Sequence, residues 1–170
     1  MKQRGFTLVE LMITVTIMVI LLTLAVVNLT STQVSQRDSE RSTEATTIAN
    51  NLETYYKSGV NGSTVLGRYP STAMLAGGGT AIKSFLPYID LESVTAPDAA
   101  SVAASFVPAT NDIESPAGVQ PQPTVTQYVY QPIQNDGSLC TTETQECRRF
   151  GIFYRTEGDD TVKKVMSKHQ

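Results

Sequence analysis

Between Gly5 and Gly59 the chain contains no glycine and no proline. These are the residues that most readily break a helix, so one helix can occupy the whole interval. From Phe6 to Ser58, at ~1.5 Å per residue, it would extend about 80 Å. Composition divides this helix in two. No residue from Leu11 to Val27 is charged. The apolar stretch Phe6–Val27 would measure about 33 Å, enough to cross a bilayer core of ~30 Å. Lys2 and Arg4 precede it, a bias that holds the N-terminus on the cytoplasmic side and sends the remainder outward. From Thr30 to Thr47 the chain is polar, and Asp38, Arg41 and Glu44 are spaced so that neighbours can pair on the helix surface. Ala45, Ile48, Ala49, Leu52, Tyr55 and Tyr56 then recur at helical period and form one apolar face. Gly59 and Asn61-Gly62 supply the stop.

Glu10 interrupts the apolar run. A carboxylate at the centre of a membrane helix costs roughly 2.5–3.5 kcal/mol on insertion scales, and less near the interface. Either Glu10 sits at interface depth, snorkelling or protonated, or it has a partner and a function.

The residues around it carry more information. Gly5-Phe6-Thr7-Leu8-Val9-Glu10, after a short leader holding Lys2 and Arg4, resembles the type III signal sequence of type IV pilins and pseudopilins. The resemblance covers about the first 30 residues. It implies that a prepilin peptidase cuts between Gly5 and Phe6 and methylates the new amine of Phe6, so that 1–5 is a leader peptide. Loss of Lys2 and Arg4 would move the side-chain balance from −3 to −5. It also implies an assembly role for Phe6 and Glu10. In a packed bundle, the Glu10 carboxylate of one subunit would face the Phe6 amine of the next, pairing two charges that are each costly in an apolar core. The chain departs from many members of that family in lacking a Gly and a Pro in the apolar half of the helix. Thr14, Thr16 and Thr23 can still bond back to earlier carbonyls and allow slight bending.

The fold expected from the resemblance and from the residues together is α+β. A long N-terminal helix, shaped like a lollipop stick, packs on a head with a small antiparallel sheet. Residues 6–29 form the membrane and filament-core segment, 30–58 the amphipathic continuation, and 59–170 the head. Within the head, 67–124 reads as a loop region rich in Pro, Ala and Ser. Gly67-Arg68-Tyr69-Pro70-Ser71 opens it and resembles the segment that follows the long helix in many pseudopilins. A short helix is expected over Ala73–Leu75 and Ile82–Ile89, ending near Pro87, and another near Ala99–Ala104. Gly77-Gly78-Gly79-Thr80 reads as a flexible turn and lacks the ending of a phosphate loop. The long loop is either an adhesive or packing surface or simple covering. The meander 125–166 has strands at Val125–Tyr130, Arg149–Arg155 and Thr161–Met166, with turns at Asn135-Asp136-Gly137 and Glu157-Gly158-Asp159-Asp160. Its apolar face should cover Ile48, Leu52 and Tyr55, because a small sheet is not stable alone in water.

Cys140 and Cys147 enclose six residues. Outward topology puts them where a disulfide can form and persist; two reduced thiols are the alternative. Two cysteines without a histidine partner make no zinc site. The lone histidine, His169, stands one residue from the end, which leaves little for histidine-based catalysis or metal binding. Asp136, Glu157, Asp159 and Asp160 lie on turns; calcium binds such turns in some pseudopilins, and a solvated turn is the plainer reading. A net charge of −3 and a pI near 5.1 argue against a general phosphate-binding surface. Lys163, Lys164, Lys168, Arg148, Arg149 and Arg155 make the tail locally basic, either as ordinary edge-strand lysines or as a surface for DNA or anionic groups.

No catalytic constellation, metal or cofactor is predicted. The resemblance implies a structural subunit of a type IV pilus or related filament serving motility, adhesion or DNA uptake. The alternatives are a pseudopilin of a type II secretion or competence system and a monomeric membrane-anchored adhesin. Implied partners are identical or homologous subunits, the prepilin peptidase, a platform membrane protein and an assembly ATPase. The subunit would sit in the cytoplasmic membrane, head outside, before entering an extracellular filament.

Overall fold

The computed structural model describes residues 6–59, 66–75 and 78–169. Residues 1–5, expected to form a leader, and Asn61-Gly62 lie outside these limits. Helix α1 runs without a break over Leu8–Ser58. It stops at Gly59, whose φ of 63° is easily adopted without a Cβ and whose N–H bonds to the Tyr55 carbonyl at 2.8 Å. Within the apolar run, the hydroxyls of Thr14, Thr16 and Thr23 donate to carbonyls three or four residues back, at 2.8–2.9 Å. These hydroxyls are thereby satisfied inside their own helix.

The head contains α2 (Gly78–Phe85), α3 (Val102–Ser105) and strands β1 (Phe106–Pro108), β2 (Tyr128–Ile133), β3 (Arg149–Arg155) and β4 (Val162–Met166). Two short 3-10 turns, Thr72–Leu75 and Glu92–Val94, complete it. The strands lie in the order β1-β2-β3-β4. β2–β3 and β3–β4 are antiparallel, with Tyr130 opposite Ile152 and Ile152 opposite Val165. The expected meander gains a strand from the loop region, because β1 pairs with β2 in parallel; the sheet is mixed.

Two layers enclose this sheet. On one face Tyr128, Tyr130, Phe150, Ile152 and Tyr154 meet Ala45, Ile48, Ala49 and Leu52 of α1. On the other, Val129 and Phe153 pack with Ala109 and Val119 from the proline-rich stretch. All six residues of β2 are therefore buried. The stretch 109–124 covers a second apolar cluster and is organised by Asn111, which bonds Gly118 O, Gln120 N and, through its own carbonyl, the Gln131 amide.

Several local expectations shift. The first strand starts at Tyr128, not Val125, because residues 124–127 form a turn and the Val125 carbonyl is taken by Arg41 at 2.6 Å. The strand continues through Pro132, which lies beyond the end of short β1. The N–H of its opposite number, Phe150, turns instead to Ser167. The missing N–H of Pro132 thus faces the side where no strand follows. Gly78–Thr80 belong to α2 rather than to a flexible turn, while Gly77 lies outside the described residues. Burial of Ile82, Phe85, Leu86 and Ile89 outweighs the poor helix propensity of glycine. α2 itself ends at Phe85.

Candidate functional site

The apolar half of α1 lies outside the head. Phe6, Leu8 and Val9 are exposed, and so are the large apolar residues that follow through Val26. The helix is long and apolar enough to cross a membrane by length and composition, and none of its most apolar stretch is covered by the rest of the chain. A monomer in water would leave this surface facing solvent, at a cost of about 25 cal/mol per Å² of apolar area. Lipid or other helices are its natural surroundings.

Glu10 stands at the start of this helix. Thr7 is the N-cap, and its hydroxyl accepts from the Glu10 N–H at 3.2 Å. The Glu10 carboxylate reaches back to the Thr7 N–H and hydroxyl, each at 3.5 Å. This reciprocal capping box satisfies donors that a helix start leaves open. The Thr-x-x-Glu spacing is its signature in the sequence, so Glu10 has a local structural role besides its charge. The carboxylate is thereby held at the N-terminal end of α1. Gly5 lies outside the described residues.

Further along, buried polar contacts attach α1 to the head. Arg41 is 1% exposed. Its guanidinium donates to the Val125 carbonyl and to Asp38 at 2.8 Å, and it approaches Glu157 at 3.4 Å. Arg37 donates to both Glu157 oxygens, at 2.9 and 2.5 Å. Asp38 in turn accepts from the N–H groups of Glu157 and Gly158, at 2.7 and 2.9 Å. The Arg37 hydrogen bonds hold the Glu157 carboxyl below its usual range. The expected Asp38–Arg41 pair forms, whereas Glu44 accepts a hydrogen bond from the Tyr128 hydroxyl. Burial raises the Glu44 pKa despite that bond. At the far end of α1, Glu53 accepts from Tyr69 OH at 2.9 Å and from Lys168 N at 2.8 Å. His169 stacks on Tyr56 and brings Nε2 within 3.4 Å of Glu53. Apart from the i,i+3 pair Asp38–Arg41, these links join residues 84 to 120 positions apart, or depend on a buried glutamate, so no local pattern announces them.

Cys140 and Cys147 are joined in a disulfide with their Cα atoms 5.8 Å apart. Their loop is sewn to the segment after α1 by Tyr69 N to Cys147 O at 2.8 Å and Thr72 N to Cys140 O at 3.0 Å. The acidic turns are occupied by their own donors. Asp136 accepts from Ser138, and Asp159 from Thr156 and Thr161, which lowers both carboxyl pKa values. Among the described residues no three His, Cys, Asp or Glu side chains gather as a metal site. Most of the basic tail is paired: Arg148 with Glu146, Arg149 and Lys164 with Glu114, Arg155 with Asp160 and Lys163 with Asp159. Such pairing reduces the positive field available to a phosphate backbone.

Residues 1–26 match the family model for the prokaryotic N-terminal methylation motif, so the chain carries a type IV prepilin-like signal. No curated protein and no solved structure matches the chain. The motif and the apolar helix fit membrane anchoring, and the α+β architecture, with a long helix packed on a mixed sheet, fits the lollipop form of a pilin.

Proposed function

We propose that this chain is the precursor of a pilin-type filament subunit. In this reading residues 1–5 are removed by a prepilin peptidase and the Phe6 amine is methylated. Residues 6–29 anchor the subunit in the cytoplasmic membrane and then pass into a filament core, while 30–58 and 59–170 form the outer layer. The observation that carries it is the uncovered apolar half of α1, continuous with a helix whose other half is embedded in the head. Moving that surface from lipid to protein gains little from the hydrophobic effect, so packing and paired charges must supply specificity. Glu10 and the freed Phe6 amine are suited to that task. A misplaced subunit would bury an unpaired carboxylate, which is strongly disfavoured. Identical or homologous subunits, a platform protein and an assembly ATPase are the partners this requires. The work of the molecule is structural, with no chemical step.

Mass spectrometry of the protein isolated from its native cell tests the reading. The expected mature form begins at Phe6 and carries one added methyl group. An intact Met1, or a cut beyond Val27, refutes it. Glu10→Leu should leave the protein in the membrane and abolish filaments seen by electron microscopy; normal filaments from that variant would remove the assembly role of Glu10.

A further inference from the structure

Where α1 leaves the head, the turn between β3 and β4 lies against it. Ser31, Val34, Ser35 and Asp38 form one wall of a groove of about 560 Å³, and the turn from Thr156 to Asp159 forms the other. The Gly158 N–H bonds to Asp38 at 2.9 Å, which fixes the turn beside this part of the helix. At ~1.5 Å per residue, the turn stands about 3 to 14 Å beyond Leu29 along the axis. If residues 6–29 anchor the chain, Leu29 marks the outer edge of the hydrocarbon. Headgroups add roughly 5–8 Å on each side of a core of ~30 Å, so the underside of the head reaches the headgroup layer. Residues 6–29 also measure about 36 Å, longer than that core, and a segment of excess length tilts. α1 lies against one face of the sheet, so a tilt toward the sheet brings the turn down further.

The charges on this underside are sorted by depth. Arg41 is buried, and its guanidinium is turned to the Val125 carbonyl. Arg155 is turned likewise to the Pro123 carbonyl, and Arg37 to Glu157. Arg37 and Arg155 leave only 29% and 24% of their side chains exposed. Their carboxylate neighbours Asp98 and Asp160 project instead, at 73% and 82%. Asp159 and Lys163 pair with each other at comparable exposure and cancel. The outermost unbalanced charges are therefore negative. Asp98 and Asp160 also have positive φ, 64° and 50°, a conformation that aspartate and asparagine adopt more readily than bulky residues. Carboxylates at headgroup depth attract ammonium groups and repel lipid that carries net negative charge.

We infer that the underside of the head docks on a lipid surface of zwitterionic headgroups, with Asp98 and Asp160 facing their ammonium groups, and that anionic lipid lifts it away. This rests on the membrane-anchoring reading and adds the class of lipid that the head meets.

Paramagnetic NMR on the full chain in lipid nanodiscs tests the inference, with isotope-labelled glycine and a nitroxide on a small fraction of the headgroups. Gly158 reports the underside. Gly137 reports the opposite end of the sheet, beyond the Ile133–Arg149 end of the β2–β3 pair. With equal parts of phosphatidylcholine and phosphatidylethanolamine, the Gly158 amide should broaden and the Gly137 amide should stay sharp. Exchanging the phosphatidylethanolamine for phosphatidylglycerol should reduce the Gly158 broadening about twofold at low salt. Asp98→Asn combined with Asp160→Asn keeps the size and the positive φ at two exposed positions, and should remove that lipid dependence. A chain that does not enter nanodiscs refutes the anchoring reading and the docking inference with it. A chain that enters them, with Gly158 no broader than Gly137, overturns the docking inference and leaves the anchor standing. Equal broadening in the two lipid mixtures, or a lipid dependence that persists in the double variant, overturns the match between these carboxylates and zwitterionic lipid.

Discussion

Arg41 is a guanidinium held almost wholly out of water, and three groups share its charge: Asp38, Glu157 and the Val125 carbonyl. Truncating it leaves two carboxylates and a carbonyl facing a void. Arg41→Ala should cost about 3 kcal/mol, in the range for breaking a buried pair from one side. Chemical denaturation of the detergent-solubilised chain would measure it. Glu157 adds a pH signature. Its folded pKa is depressed, chiefly by the hydrogen bonds from Arg37, so its contribution is present above the ordinary carboxylate value of about 4.3. That contribution is lost as pH falls through the lower folded value. Stability of the parent should therefore drop between roughly pH 5 and 3 more steeply than that of Glu157→Gln. Unfolding curves across that interval would show equal slopes if the pairing contributes nothing.

At the scale of elements, the disulfide closes a loop that also supplies two backbone acceptors to the segment following α1. Replacing both Cys140 and Cys147 with Ser should cost about 2–3 kcal/mol by the chain-entropy account of a short loop. The same denaturation measurement serves, and an unchanged midpoint would assign the loop's order to its hydrogen bonds alone. The elements also differ in how plainly the sequence announces them. α1 was legible because its causes are local: no Gly or Pro for more than fifty residues, and an apolar face at helical spacing. β3 was legible from its density of aromatic and branched residues. β1 was not, since Phe106–Pro108 is short and exists only because β2 runs beside it. The polar links were hidden for a related reason. A glutamate at position 53 becomes a buried acceptor only when Tyr69, Lys168 and His169 fold around it. The capping box at Thr7 and Glu10 has a local cause too, the Thr-x-x-Glu spacing.

For the molecule as a whole, α1 acts as a continuous rod of 51 residues, embedded at one end and bare at the other. With no Gly or Pro inside, its two halves share one phase. Each residue added between them turns the bare half by about 100° and moves it ~1.5 Å along the axis. A single Ala inserted after Leu29 would therefore point the head away from the direction set by Glu10. Seven inserted residues would bring the two halves back to within about 20° while lengthening the rod by roughly 10 Å. Under the filament reading, the first insertion should prevent assembly and the second should permit a filament with its outer layer displaced, both visible by electron microscopy. The protein would then be a phase-locked crankshaft, in which the angular position of every head on the filament surface is dictated by the register of a carboxylate near its axis.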